Sequence, residues 1–251
     1  MTFFYKLMVT LVFLSSSFSC SAEEKEDIVE LIYSGKPALK SISGDYLATI
    51  THFQAVDLVG DEEEVELLRR MVNLKHFTFG SDDASPLTPE VIQFIISREK
   101  LISLNLNLDI RESSDITFLS KIPTLRSLVI SQNLFSQTIQ KYSFDKKFAS
   151  FLDDTGIEKL VVNGGVEDGV TEYILIHYKK LKDLQISISK VELMRCLDSF
   201  EMGRLQYFKA YCGGFEKEEI NLIKKVFSQH EVKIVQQSIG VAPSVTAIVR
   251  K

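Results

Sequence analysis

Residues 207–211 read Tyr-Phe-Lys-Ala-Tyr, so Tyr207, Lys209 and Tyr211 fall two apart and share one side of an extended strand. Phenol rings are rigid amphipathic anchors, and an ammonium group beside them attracts carboxylates; protein-recognition surfaces are rich in this combination. Lys159, Gln185 and Lys233 stand at matching places beside other apolar clusters. Bond-making chemistry has no comparable signal. The chain contains no G-x-x-x-x-G-K-[ST] phosphate loop, no G-x-S-x-G nucleophile turn, no H-E-x-x-H and no C-x-x-C. His52, His76, His177 and His230 are far apart, and Gly164-Gly165 and Gly213-Gly214 follow apolar stretches where turn glycines are expected. The expectation is a non-enzymatic chain with no catalytic residue, no metal and no cofactor.

What must position these side chains is a spaced apolar triplet, L-x-x-L-x-L, that recurs along the chain. The triplets are Phe53, Val56, Leu58; Leu74, Phe77, Phe79; Leu101, Leu104, Leu106; Leu125, Leu128, Ile130; Ile157, Leu160, Val162; Leu181, Leu184, Ile186; Leu205, Phe208, Ala210; and Gln229, Val232, Ile234. They start 21, 27, 24, 32, 24, 24 and 24 residues apart. At the chain's 45% hydrophobic content about 11 of these 24 positions should be apolar, whereas all but Gln229 are. The last two residues of each triplet lie on one face of a short strand that has to be buried. Intervals of this length exclude hairpins and suit a strand, a return segment and a parallel neighbour.

The return segments carry helix signals. Thr88 followed by Pro89 forms an N-cap and first turn, and Asp61 to Glu64 place carboxylates at the positive end of a helix. Apolar residues three or four apart predict further helices over 143–152, 170–178, 191–200 and 217–227. The 32-residue unit carries an insertion near 135–142, the kind that maps to a loop.

Eight positions after each triplet begins stand Asp61, Asp82, Asp109, Asn133, Gly165, Ser189, Gly213 and Gln237. With these turn residues the pattern over about 53–237 resembles a leucine-rich repeat protein, L-x-x-L-x-L-x-x-N/C-x-L. That resemblance implies an α/β solenoid, a horseshoe with a curved parallel sheet on the concave face and helices on the convex face. It also implies that the ninth residue turns the chain off the strand, its side chain bonding backbone of adjacent coils.

Lys6, the apolar run 7–14 and the small residues ending in Cys20, Ser21 and Ala22 read as a signal peptide over 1–22. Cleavage after Ala22 predicts an exported chain, periplasmic, secreted or at the cell surface. Cleavage before Cys20 predicts a surface lipoprotein, lipid-anchored through Cys20, with a structural or adhesive role. Residues 23–52 are expected to form an N-terminal helical cap, with Ile28, Leu31 and Ile32 on one face of a helix over 27–33. About eight repeats follow over 53–237. Residues 238–251 are expected to form a C-terminal cap in which Val245, Ala247 and Val249 alternate with Thr246, Ile248 and Arg250 in a short strand that lies along the last one and protects the sheet edge. Cys196 and Cys212 remain after cleavage, and free thiols are expected over a disulfide. The formal charge, −5 for the whole chain, makes non-specific nucleic-acid binding a poor prospect.

The triplet register also predicts the open face of the sheet. Its third positions are Ala55, His76, Ser103, Ser127, Lys159, Asp183, Tyr207 and Glu231, and its fifth are Asp57, Thr78, Asn105, Val129, Val161, Gln185, Lys209 and Lys233. Early coils present small polar groups, and later ones add lysine and tyrosine. Lys159, Gln185, Tyr207, Lys209, Tyr211 and Lys233 are therefore the expected binding residues for a protein partner, with acidic partners favoured. Membrane contact is expected only if Cys20 carries lipid.

Overall fold

The computed structural model describes residues 28–33, 40–56, 58, 61–80, 87–108, 113–132, 144–199, 204–212, 214–235 and 244–249. The expected signal peptide, Cys20, the insertion 135–142 and the turn residues Asp82, Asp109, Asn133, Gly213 and Gln237 lie outside these residues.

Strands β1 (Glu30–Tyr33), β2 (His52–Val56), β3 (His76–Gly80), β4 (Ser103–Leu108) and β5 (Ser127–Gln132) alternate with helices α1 (Gly44–Thr49), α2 (Glu62–Arg69), α3 (Pro89–Ile96) and a 3-10 helix (Ser113–Lys121). The alternation continues with α4 (Lys146–Ser150), β6 (Lys159–Asn163), α5 (Val170–His177), β7 (Asp183–Ser187), α6 (Lys190–Ser199), β8 (Tyr207–Tyr211), α7 (Lys217–Val226) and β9 (His230–Val235). With β10 (Ser244–Val249) the strands form one open ten-stranded sheet ordered β1 to β8, then β10, then β9. From β1 to β8 every pairing is parallel. The protein is thus an α/β chain of solenoid-like arrangement.

The register explains why the repeat needs its apolar positions. Phe53, Phe77, Leu104, Leu128, Leu160, Leu184 and Phe208 are Cα partners in successive strands, and all are buried. Two residues on, Ala55, Phe79, Leu106, Ile130, Val162, Ile186 and Ala210 form a second buried row. The first positions of the triplets, from Leu74 to Leu205, are buried beneath both. Aromatic contacts tie rows to helices: Phe77 stacks on Phe53 at 5.6 Å and meets Phe94 of α3 edge-on at 5.8 Å.

Two ends of the pattern are corrected by this register. Phe53 pairs with Phe77 and Ala55 with Phe79, so the first unit is Ile50, Phe53, Ala55 and not Phe53, Val56, Leu58. Both readings fit the template. The small Ala55 wins the buried place because the bulky Phe79 beside it fills the space. The expected helix over 27–33 is instead a strand over 30–33, parallel to β2, with Leu31 opposite Phe53 and Tyr33 opposite Ala55. Ile28, Leu31 and Tyr33 thereby repeat the triplet one unit earlier. An open edge on β2 favours a strand over an isolated turn of helix, since strand pairing satisfies backbone groups.

At the other end, β10 lies along β9 as expected, but on its inner side, so it does not cover the sheet edge. It enters between β8 and β9, antiparallel to both, with Val245 and Ala247 fully buried. This gives its backbone partners on both sides and leaves β9 as the edge. In the ninth unit Gln229 is exposed, while Phe227 supplies the missing bulk by stacking on Phe208 at 5.4 Å.

Helix starts follow the sequence signals. Asp61 accepts from Glu64 N at 3.0 Å, Thr88 from Val91 N at 3.4 Å with Pro89 in the first turn, and Ser189 from Glu192 N at 3.1 Å. Asp61 and Ser189 thus cap their own helices; with the first unit starting at Ile50, Asp61 is no longer its ninth residue, and the Ser189 hydroxyl also donates to the Asp168 side chain of the preceding coil at 3.5 Å. Asp145 caps the expected helix over 143–152, which is shorter, residues 146–150. The start of α5 is capped from the neighbouring coil: Glu192 Oε1 on α6 accepts from Gly169 N at 3.0 Å and Thr171 N at 3.1 Å. Gly169 is left-handed, φ 82°, and a Cβ there would lie 2.9 Å from Lys146 Nζ.

Burial pushes the Glu192 carboxyl above its usual range, although the two backbone N–H bonds pull it back. An acid raised in the folded state contributes most stability below its unfolded pKa and loses it as pH rises through the folded value. Glu192→Gln keeps an acceptor for both N–H groups and removes that loss. It should match or exceed the parent in urea denaturation at pH 7, whereas Glu192→Ala should lose about 0.5–2 kcal/mol. Equal losses for the two variants would show that the cap is not formed.

Candidate functional site

Because the helices and the buried rows occupy one side of the sheet, the residues between those rows face the other side. Parallel pairing in register then sets them out as ladders, one rung per strand. On β6, β7 and β8 the rungs are Lys159, Asp183, Tyr207 and Val161, Gln185, Lys209, and Ser187 pairs with Tyr211 on the last two strands. Five of the six expected binding residues, Lys159, Gln185, Tyr207, Lys209 and Tyr211, are therefore on three adjacent strands. Lys233 is not beside them. Thr246 pairs with Lys209 on one side and Lys233 on the other, because β10 lies between.

Insertion of β10 brings residues to this face that strand order in sequence does not reveal. Ile248 pairs with Tyr207 and Glu231, and Ser244 with Tyr211 and Val235. Ile248 is 46% exposed, an apolar group beside Tyr207. The alternation of Val245 and Ala247 with Thr246 and Ile248 carried this signal, but only a strand placed inside the sheet turns it into a surface.

The charged groups here have internal partners. Lys159 Nζ lies 3.6 Å from Asp183 Oδ2. Lys209 Nζ lies 4.6 Å from the centre of the Tyr211 ring, a cation–π contact. The Tyr211 phenol holds the Lys209 ammonium above its ordinary range, against a smaller opposing effect of burial. Burial raises the Tyr207 hydroxyl, with Lys209 opposing. Asp183 is raised by burial and pulled down by Lys159 and then Gln185, and among the described residues its Oδ1 meets no hydrogen-bond donor. The face is thus less basic than lysine counts alone imply, with Asp183 and Glu231 set among Lys159, Lys209 and Lys233.

Towards the other end the open face is small and polar, with Thr78, Asn105, Asn107, Ser127 and Ser131 half-buried, and Asn163 Nδ2 donating to Ser131 Oγ at 3.1 Å. The corrected first unit changes its outermost rungs. His52 takes the place expected of Ala55, stacking on His76 with centroids 4.0 Å apart, and Gln54 takes that of Asp57. His230 is buried with its Nε2 2.6 Å from Leu205 O, and His177 is on α5, its Nδ1 3.7 Å from Asp153 Oδ2. Among the described residues no group of three or more His, Cys, Asp or Glu is placed to hold a metal ion. Cys196 and Cys212 are free thiols, and burial pushes each up to about 12, which makes them poor nucleophiles near neutrality.

In comparisons with known proteins, no family model matches the chain and no curated protein matches it.

Removing the ammonium beside Asp183 tests the geometry directly. In Lys159→Met the Asp183 carboxyl should titrate higher than in the parent, read by carboxyl-carbon NMR. Since its folded value already lies above the ordinary aspartate range, the variant should lose more stability than the parent as pH rises from acid to neutral. An unchanged titration would mean the pair does not form in solution.

Proposed function

We propose that this chain is an exported, non-enzymatic recognition scaffold of the leucine-rich repeat type, its sheet curved as in a horseshoe, that binds a protein partner through the open face. The observation supporting this reading is the in-register group Tyr207, Lys209, Tyr211 and Ile248 on β8 and β10, over a buried apolar spine. Two phenols and an aliphatic group held on paired strands lose little conformational freedom on binding, which is where interface energy concentrates. Lys159, Lys209 and Lys233 outnumber Asp183 and Glu231, so an acidic patch on the partner is favoured. Among the described residues no helix is long and apolar enough to cross a membrane. A second reading rests on Cys20 in its small-residue setting: a surface lipoprotein with a structural or adhesive role.

The double variant Tyr207→Ala, Lys209→Glu should keep the parent's circular dichroism and weaken capture of a direct partner by about 100-fold or more. A folded variant that retains every partner of the parent removes this face as the site. Metabolic labelling with a fatty acid separates the two readings of the N-terminus: label incorporated by the parent and lost in Cys20→Ser establishes the lipoprotein, and no label in either establishes the unanchored chain.

A further inference from the structure

Parallel strands force every return helix to run in one direction, so the charges that suit helix ends accumulate on opposite rims of the molecule. Helix starts carry acids such as Asp61, Glu62, Glu90 and Glu218. Six of the helix-to-strand turns, 70–75, 98–102, 122–126, 153–158, 178–182 and 204–206, together contain nine Lys or Arg against four Asp or Glu, in a chain whose net charge is −5. The half-charge at each helix C-terminus offsets part of this excess but does not reverse it.

These turns form one ordered edge. Lys75 N bonds Thr51 O, Ile102 N bonds Lys75 O, Arg126 N bonds Ile102 O, Glu158 N bonds Arg126 O, Lys182 N bonds Glu158 O and Gln206 N bonds Lys182 O, each at 2.7–2.9 Å. At about 4.8 Å per strand this row runs about 29 Å. Some of its cations hold the turns themselves: Arg98 donates to the carbonyls of Arg69 and Met71, and Lys182 pairs with Glu158 at 2.6 Å. Lys179 and Lys180 project as exposed cations beside them. Two aliphatic side chains are turned outward on the same rim, Val72 at 58% and Ile102 at 37% exposure. Matching of charge to helix ends accounts for the lysines and arginines, but not for bare aliphatic groups among them.

From this juxtaposition we infer that the rim of helix-to-strand turns docks on an anionic lipid surface. Basic residues gain from the surface potential of acidic headgroups, and aliphatic groups gain by entering the headgroup boundary. A polyanionic polymer offers the first gain without the second. Docked by this rim, the sheet stands on its strand starts and its open face stays accessible, so the inference is independent of which partner that face binds.

The test is co-sedimentation of the full chain with phosphatidylcholine vesicles, with and without phosphatidylglycerol. The readout is the ratio of the two binding constants, in which any contribution common to both kinds of vesicle cancels. We expect a strong preference for the anionic vesicles that is lost at high salt. In Lys179→Glu, Lys180→Glu the preference should fall about 30-fold or more with the fold unchanged by circular dichroism, while Lys209→Glu on the open face should leave it nearly intact. Absence of preference in the parent, equal preference in the rim variant, or binding to nucleic acid without binding to anionic vesicles would each overturn the inference.

Discussion

The structure depends on one apolar spine that no coil can bury alone. Each strand contributes two inward side chains and each turn a third, and their burial requires the coil before and the coil after. In-register pairing from Phe53 through Leu104, Leu128, Leu160 and Leu184 to Phe208 makes that burial continuous. Shortening one member of such a row to alanine typically costs about 2–5 kcal/mol, because close-packed neighbours cannot collapse into the gap.

The same register fixes the functional side of the sheet. Residues one step from the spine have no choice of face, so Tyr207, Lys209 and Tyr211 are presented together, held from behind by Phe208 and Ala210. The parallel course of the strands also aligns the return helices and so separates charge between the two rims. A binding face and a polarised edge thus follow from a single packing requirement, with no residue chosen for the whole.

Where the apolar positions were bulky and evenly spaced, periodicity was enough to place them: Leu101 to Ile130 and Leu181 to Ala210 lie as the repeat predicts. It failed where size or topology decided. Ala55 holds a core place that a template favouring bulk assigns to Leu58, and that shift of three residues hid His52 and Gln54 on the open face. Ile28, Leu31 and Ile32 satisfy a helical spacing while Ile28, Leu31 and Tyr33 satisfy the triplet, and only the unpaired edge of β2 decides between them. For β10, alternation revealed which side of the strand is buried but not which neighbours it joins. A strand returning antiparallel into the sheet is a long-range pairing with no local signature, and its effect was to part Lys233 from Lys209 and to add Ile248.

Backbone NMR of the folded chain tests the spine most directly. The account predicts interstrand contacts between amide and α-protons along every neighbouring pair from β1 to β8, with close α-proton to α-proton contacts confined to the two pairings of β10. Close α-proton pairs between any of β1 to β8, such as Leu128 with a residue of β6, would show antiparallel strands there and contradict the continuous spine on which both proposed surfaces rest.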